Sequence, residues 1–552
     1  MNRPASWWLL CLSVAGLALA ASANSIANGY AYDDVTLIAN SSRAHSWSGW
    51  WRDFGQTYWP GGDGYRPLTI IGWRAQWAFG GGAAGVFHAV NVALHVTTSV
   101  LVLWLCSAAL PLAAAWIAAA LYAVHPVHVE AIANVVGQSE LAVALLVVLV
   151  AGIYLHGRAR GAIPPRRWAI IGALYGVACL FKEHAIMLPA LLVLAEVTVV
   201  ADSRSVRERL TTLRAPLLAL VLVATCYVWA RSAVVTQGIT GFRPFIVFES
   251  LQLSTTDRIL TMIGATPEWL RLFLWPARLI TQYSPPYLEI AQGPSVAQIP
   301  GLLLILGTLG LAVACWRRSP ATSFGLGWLV LTLLPASNLL VPAGFIIAER
   351  TLLLPSVGAM IAVASAVPWL QRRMADKRGF RAAAATALAL VLTLGVARSY
   401  ARNRVWRDDD SLWRQGVLDS PDSYLAHFRL GLHLLSTARY RDGEAHYRQA
   451  IQLFPHDPLM AYSFAEQLRV AGKCDAAVPI YHWLFEAWPD SRRGHIGYAS
   501  CLLVQGRFDE ARDEALVWIR RGGRLPLARQ VLIAAKAGRD STPGRPPHGT
   551  RP

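Results

Sequence analysis

Two adjacent carboxylates, Asp33 and Asp34, stand just after the first apolar run of this 552-residue chain. A carboxylate at a membrane surface can take the proton of an attacking hydroxyl, and a pair can hold a divalent cation, magnesium or manganese, that neutralises a phosphate. An Asp-Asp pair also caps helices, so spacing alone leaves both readings open. Further on lie Arg66, the stretch His125-Pro126-Val127-His128-Val129-Glu130, Lys182-Glu183-His184 and Glu349-Arg350. Guanidinium and ammonium groups suit phosphate oxygens. His125, His128 and Glu130 could ligate a metal, or could simply end a helix with hydrogen bonds. Lys182 with Glu183, and Glu349 with Arg350, could each be a self-neutralising pair. His88, Asn91 and His95 share one helical face inside an apolar run, where each polar group needs a partner.

The stretch 29–84 also holds Trp47, Trp50, Trp51, Tyr58, Trp59, Tyr65, Trp73 and Trp77. Such rings anchor a segment among lipid headgroups, and they also stack on sugar rings. Both roles fit an outer surface.

The elements that must position these residues are membrane helices. Hydrophobic residues make up 55% and charged residues 15% of the chain, against roughly 25% charged in soluble proteins. Apolar runs long enough for a bilayer recur up to about residue 397. Eleven spans are predicted: 6–28, 86–109, 111–125, 139–156, 168–181, 184–200, 215–233, 299–316, 323–341, 351–370 and 380–397. The run 257–280 carries Asp257, Arg258, Glu268, Arg271 and Arg278, which suits a helix lying at the interface. Basic residues cluster in four loops: Arg158 to Arg167, Arg204 to Arg214, Arg317-Arg318, and Arg372 to Arg381. With eleven spans all four fall on one side, which places the N-terminus in the cytoplasm and the C-terminus outside. Arg3, the apolar stretch from Trp7 and Ala21-Ser22-Ala23 also read as a signal peptide; either way residue 29 onward is outside. The net charge of +17 therefore reports topology to a large extent, and no basic stripe interleaved with aromatics argues for nucleic acid. Arg66, His125, Glu130, Lys182, Glu183, Glu349 and Arg350 then share the outer face with Asp33 and Asp34. Four lysines against forty-six arginines suggest a GC-rich bacterial genome, so that outside means periplasm.

Beyond residue 400 the pattern becomes soluble and repeats every 34 residues, as in Pro455/Pro489, Tyr447/Tyr481, Gly472/Gly506 and Leu434/Leu468/Leu502. With Gly431, Ala465 and Ala499 at the close-packing position this is the tetratricopeptide pattern. The predicted organisation is a membrane domain over 1–400, a connector over 401–420 and a repeat domain over 421–536. Its repeats run 421–455, 456–489 and 490–523, and 537–552 reads as a disordered tail. The array could bind a peptide or protein partner, or cap the membrane domain. Seven dispersed cysteines form no zinc pattern; Cys474 and Cys501 could pair, or could be two small core residues.

Asp33-Asp34, Tyr65-Arg66-Pro67-Leu68-Thr69, Phe87-His88 with Asn91 and His95, His125 to Ala131, Lys182-Glu183, Leu334 to Asn338, Ala348-Glu349-Arg350 with Leu354-Pro355-Ser356, and Arg402-Asn403 with Trp406-Arg407-Asp408 occur in order. Together they resemble the transmembrane and tetratricopeptide-repeat O-mannosyltransferases and their bacterial relatives. The resemblance implies an all-α fold, a GT-C type polytopic bundle followed by an α-solenoid. It also implies transfer of mannose or another hexose from a polyprenyl-phosphate carrier to a protein or glycan hydroxyl, with Asp33 and Asp34 as the catalytic pair. Arg66, Lys182 and Arg350 are phosphate partners on the charge argument alone. A membrane scaffold that gathers partners through its repeats is the rival reading. A transporter would place its charge pairs near mid-membrane, and these cluster at one face.

Overall fold

In a computed structural model, the chain is described over residues 5–59, 62, 64–235, 245–373, 378–489, 491–520 and 525–540. Its regular structure there is helical, apart from one isolated bridge between Pro286 and Ser423. Two compact units divide the chain: one up to Phe245 with Ser254–Tyr283 and Leu288–Asp419, the other comprising Ile246–Leu253, Ser284–Tyr287 and Ser420 onward.

The first unit opens with α1 (Ala5–Ser22), α2 (Pro67–Gly80), α3 (Ala84–Cys106), α4 (Leu112–Val124), α5 (Val129–Ala133) and α6 (Gln138–Arg158). There follow α7 (Pro165–Phe181), α8 (Leu188–Thr198) and α9 (Val206–Val234); α10 (Ile246–Ser250) belongs to the second unit. The first unit ends with α11 (Thr255–Leu274), α12 (Ile299–Cys315), α13 (Pro320–Leu333), α14 (Leu353–Ala364), α15 (Val367–Arg373), α16 (Arg378–Asn403) and α17 (Asp409–Asp419).

Each of the eleven apolar runs falls on helix, but seven stretches of the described residues are long and apolar enough to cross a bilayer by themselves. An eighth arises if Leu112–Val124 and Pro126–Ala133, bent by 48°, count as one broken span. The helices α7, α8 and α13 are 17, 11 and 14 residues long, short of the roughly 20 that a straight crossing needs. The run 257–280 is not among the seven. Its helix α11 starts on a capping box between Ser254 and Asp257 and is apolar along one face, with Thr261, Met262, Ala265, Trp269 and Leu272 buried, as befits a helix at an interface.

The break after α4 governs the site. Pro126 cannot continue the hydrogen-bond ladder, so His125 turns extended and the chain crosses 125–137 through two short turns and α5. In a membrane protein the backbone groups freed by such a break need partners from within the protein. The polar face of α3 provides them: His95 Nε2 meets Ala123 O at 3.0 Å, and Asn91 Nδ2 donates to Ile132 O and Asn134 O at 3.1 Å each. His88 Nε2 meets Gly29 O at 3.0 Å.

On α13 and α14, Gly325 and Gly358 let the two backbones touch; a Cβ on Gly325 would lie 2.6 Å from both Gly358 O and Ala362 N. Near the basic loop after α6, the buried Arg158 donates to Glu196 at 2.7 Å and to Asp202 at 2.9 Å, tying α6 to the end of α8.

In the second unit, helix pairs α18 (Tyr424–Ser436)/α19 (Tyr440–Leu453), α20 (Pro458–Val470)/α21 (Cys474–Ala487) and α22 (Arg492–Val504)/α23 (Phe508–Arg520) precede α24 (Leu525–Asp540). Each pair turns on one residue in the left-handed region, Ala438, Gly472 and Gly506, spaced by 34. The same hydrogen bond closes each turn: Arg439, Lys473 and Arg507 N–H to Leu434, Leu468 and Leu502 O, at 2.8, 2.8 and 2.9 Å. A disulfide joins Cys474 to Cys501, with Cα atoms 5.1 Å apart. The helix α24 continues to Asp540, so 537–540 of the expected tail are helical, and 541–552 lie outside the described residues.

Candidate active site

Asp34 is fully buried, and both of its oxygens are engaged. Oδ2 accepts the Val135 N–H at 3.0 Å and Oδ1 the Val136 N–H at 2.8 Å, so the carboxylate satisfies the turn that leads into α6. Burial pushes its pKa up to about 8, against the pull of those two donors. Asp33 is half-buried, and its charge acts on Arg350 and Tyr58. Among the described residues no group of three or more His, Cys, Asp or Glu side chains gathers as metal ligands would. With Asp34 held by the backbone, the Asp33-Asp34 pair does not fit a shared cation.

Three cations, of which Arg350 feels the charge of Asp33, are each seated on a carboxylate. Arg66 forks onto Glu183, Nε to Oε2 at 3.0 Å and Nη2 to Oε1 at 2.6 Å, with its guanidinium 4.6 Å from the Tyr58 ring centre. Lys182 Nζ pairs with Glu140, whose other oxygen lies 3.4 Å from His184 Nε2. Arg350 pairs with Glu130 through its side chain and, at 2.9 Å, through its backbone N–H. The three pairs also feel one another: Glu140 acts on Arg66 and Arg350, and Lys182 on Glu183. Burial works the other way, yet Arg66 and Lys182 hold Glu183 well below the carboxylate range. Burial draws Lys182 down, with Glu140 opposing.

Neither Lys182-Glu183 nor Glu349-Arg350 is a self-neutralising pair. Each member bonds a residue distant in sequence, because adjacent residues in an extended or turning segment point apart. Glu349 accepts the Ile280 N–H at 2.6 Å and the Tyr283 hydroxyl at 2.8 Å. His125 Nδ1 accepts the Val127 N–H at 3.3 Å, and its Nε2 meets Phe273 O at 3.1 Å, the pattern of a residue that ends a helix. His128 is buried against Ser356 Oγ at 2.8 Å. Asp33, Arg66, Glu130, Lys182, Glu183 and Arg350 thus come together, while His125, His128 and Glu349 hold backbone and neighbours.

Glu140 is the member that sequence reading passed over. Its signal was present: a lone carboxylate in the first turn of an apolar span is costly unless a cation meets it. The loop aromatics differ in exposure. Tyr58, Tyr65 and Trp73 are buried, whereas Trp47, Trp50, Trp51 and Phe54 are exposed around a buried Asp53, which is bonded to Arg43 at 2.8 Å and Arg74 at 2.7 Å.

Residues 79–229 match the dolichyl-phosphate-mannose-protein mannosyltransferase family, and residues 462–526 match the tetratricopeptide repeat. The protein O-mannosyl-transferase Tmtc3 of Drosophila melanogaster is 26% identical over 84% of this chain and 58% of its own length. The protein O-mannosyl-transferase TMTC4 of Mus musculus is 26% identical over 70% of this chain and 57% of its own. The chain therefore spans under two thirds of each of these relatives. Among solved structures, the Archaeoglobus fulgidus oligosaccharyltransferase crystallised with a tethered acceptor peptide is 15% identical, with a TM-score of 0.43, over 82% of this chain and 60% of that one. In its membrane domain and its repeats, the chain is similar to the TMTC protein O-mannosyl-transferases.

Proposed function

We propose that the chain transfers a hexose, mannose in the first instance, from a polyprenyl-phosphate carrier to a hydroxyl of a protein or glycan outside the cytoplasm. The observation that carries this reading is the half-buried Asp33, whose charge acts on Arg350, one of three cations that carboxylates hold in place next to apolar spans. Asp33 takes the proton from the acceptor hydroxyl as its oxygen attacks the anomeric carbon. The bond from that carbon to the carrier phosphate breaks, and the phosphate leaves with the electron pair, so the anomeric centre inverts. Arg66, Lys182 and Arg350 lower the cost of that leaving charge, each with donors beyond those its carboxylate uses. Because each cation is already partly neutralised, the released carrier phosphate is not trapped. Asp34 anchors the base by fixing the residue next to it.

The repeats hold the acceptor in this reading. Two independent features support their placement outside: the four basic loops on the opposite side, and the Cys474–Cys501 disulfide, a bond that persists in oxidising compartments such as the periplasm. Glycoproteomics of a strain lacking the chain tests the proposal. A hexose lost from an exported protein and restored by the wild-type chain is the expected result; an unchanged glycosylation profile refutes transfer and leaves a scaffold.

A further inference from the structure

Tyr32, the residue before Asp33, has a φ of +60°. An aromatic residue rarely adopts this left-handed conformation, so its surroundings must hold it there. Four contacts do so. Its N–H donates to Asp409 Oδ1 at 2.7 Å, and its hydroxyl accepts from Gln282 Nε2 at 3.1 Å. Its ring meets Trp413 and Trp406 edge-on, at 5.3 and 6.3 Å between centres. Asp409 opens α17, in the segment that follows the last span.

The same two stretches are laced together below Tyr32. Asn24 Nδ2 donates to Tyr400 O at 2.9 Å, Asn28 Nδ2 to Asn403 O at 2.9 Å, the Gly29 N–H to Arg407 O at 2.8 Å, and Asn403 Nδ2 to Ala21 O at 2.8 Å. Asp33 therefore sits between two fixed points. Tyr32 is held by Asp409 on one side, and Asp34 is held by the Val135 and Val136 N–H groups on the other. The backbone direction at Tyr32 sets where the Asp33 side chain leaves the chain.

We propose that Asp409 is a positioning residue for Asp33, holding Tyr32 in the left-handed region so that the Asp33 carboxyl faces the cation cluster. The segment 404–419 is then part of the catalytic apparatus and not a tether between span and repeats. This rests on the reading of Asp33 as the base. Asp408 Oδ1 already accepts the Ser411 N–H at the start of α17, at 2.8 Å; an Asp409 oxygen reaches a strained peptide next to the reacting group.

The test uses the full chain in nanodiscs with a polyprenyl-phosphate hexose donor. Asp409→Ala is expected to lower kcat by about tenfold to a hundredfold, the usual effect of a small displacement of a reacting group, with KM for the donor within about twofold. Asp409→Asn, which keeps an acceptor oxygen, should retain kcat within about threefold. Adding Tyr32→Gly, which accepts positive φ without strain, to Asp409→Ala should recover part of the loss. Amide hydrogen exchange of the peptide covering 29–35 should rise in Asp409→Ala while that of α3 and α6 does not, a readout independent of activity. If wild type transfers sugar and Asp409→Ala matches its kcat, or if exchange at 29–35 is unchanged, positioning is refuted. If wild type transfers nothing, the transferase reading fails, and with it Asp33 as the base that Asp409 would position.

Discussion

Replacing Asp34 with alanine separates a residue that builds the site from one that reacts in it. The change leaves the Val135 N–H buried without an acceptor, while the Val136 N–H keeps the Asn134 Oδ1 at 3.1 Å. Such a loss costs about 1–3 kcal/mol, so Asp34→Ala should destabilise the membrane unit by about that amount. The pH dependence has a definite sign. Burial raises the folded-state pKa of Asp34 to about 8, while an exposed aspartate titrates near 4. Between those values the folded chain holds a proton that the unfolded chain has lost, so this contribution to stability is complete below about pH 4 and is lost as pH rises toward 8. Thermal unfolding of the purified chain in detergent, followed by far-ultraviolet circular dichroism from pH 5 to 8.5, should show Asp34→Ala melting well below wild type, with the gap narrowing as pH rises. Asp34→Asn, which keeps one acceptor oxygen and cannot ionise, should lie between them and lack that slope. If Asp34→Ala melts with wild type at every pH yet transfers no sugar, Asp34 is a reacting group and the division of labour argued above is wrong.

Other consequences follow from the same contacts. Glu183→Gln strands the Arg66 guanidinium in a largely buried place, which costs about 3–5 kcal/mol; a double-mutant cycle with Arg66→Gln should show coupling, and additive effects would mean the pair contributes nothing. Cys474→Ser with Cys501→Ser opens a link across 27 residues; chain entropy puts the loss at about 3.5 kcal/mol, readable as a lower melting midpoint of the repeats, and thiol alkylation of the native protein should leave both cysteines unlabelled. Gly358→Ala drives a methyl group to within 2.6 Å of Leu329 N and 2.9 Å of Trp328 Cβ; forcing α13 and α14 apart should cost about 1–3 kcal/mol in the same melting assay.

The features legible in the sequence are those written in local patterns. Apolar runs announce helices by length alone, and the 34-residue period announces the repeats because each turn repeats the same left-handed residue and the same hydrogen bond. The number of crossings was less legible: whether Lys182 or Leu334 ends a helix depends on packing and turns, which composition does not encode. Charge convergence on one face could be inferred from orientation, but its wiring could not. Lys182 and Glu183 are neighbours in sequence and bind Glu140 and Arg66, residues 42 and 117 positions away. The unequal roles of Asp33 and Asp34 were equally hidden, since only the fold shows that Asp34 meets two backbone N–H groups freed by the break before α6. Nor does spacing reveal that Asp409 reaches Tyr32 across 377 residues.

The most direct test of the account is transfer of labelled hexose from a polyprenyl-phosphate donor to exported acceptor proteins by the purified full-length chain, wild type against Asp33→Asn. The account predicts transfer by wild type and a loss of about a hundredfold or more in kcat for Asp33→Asn, with the melting midpoint unchanged. Equal transfer by the two proteins would contradict it.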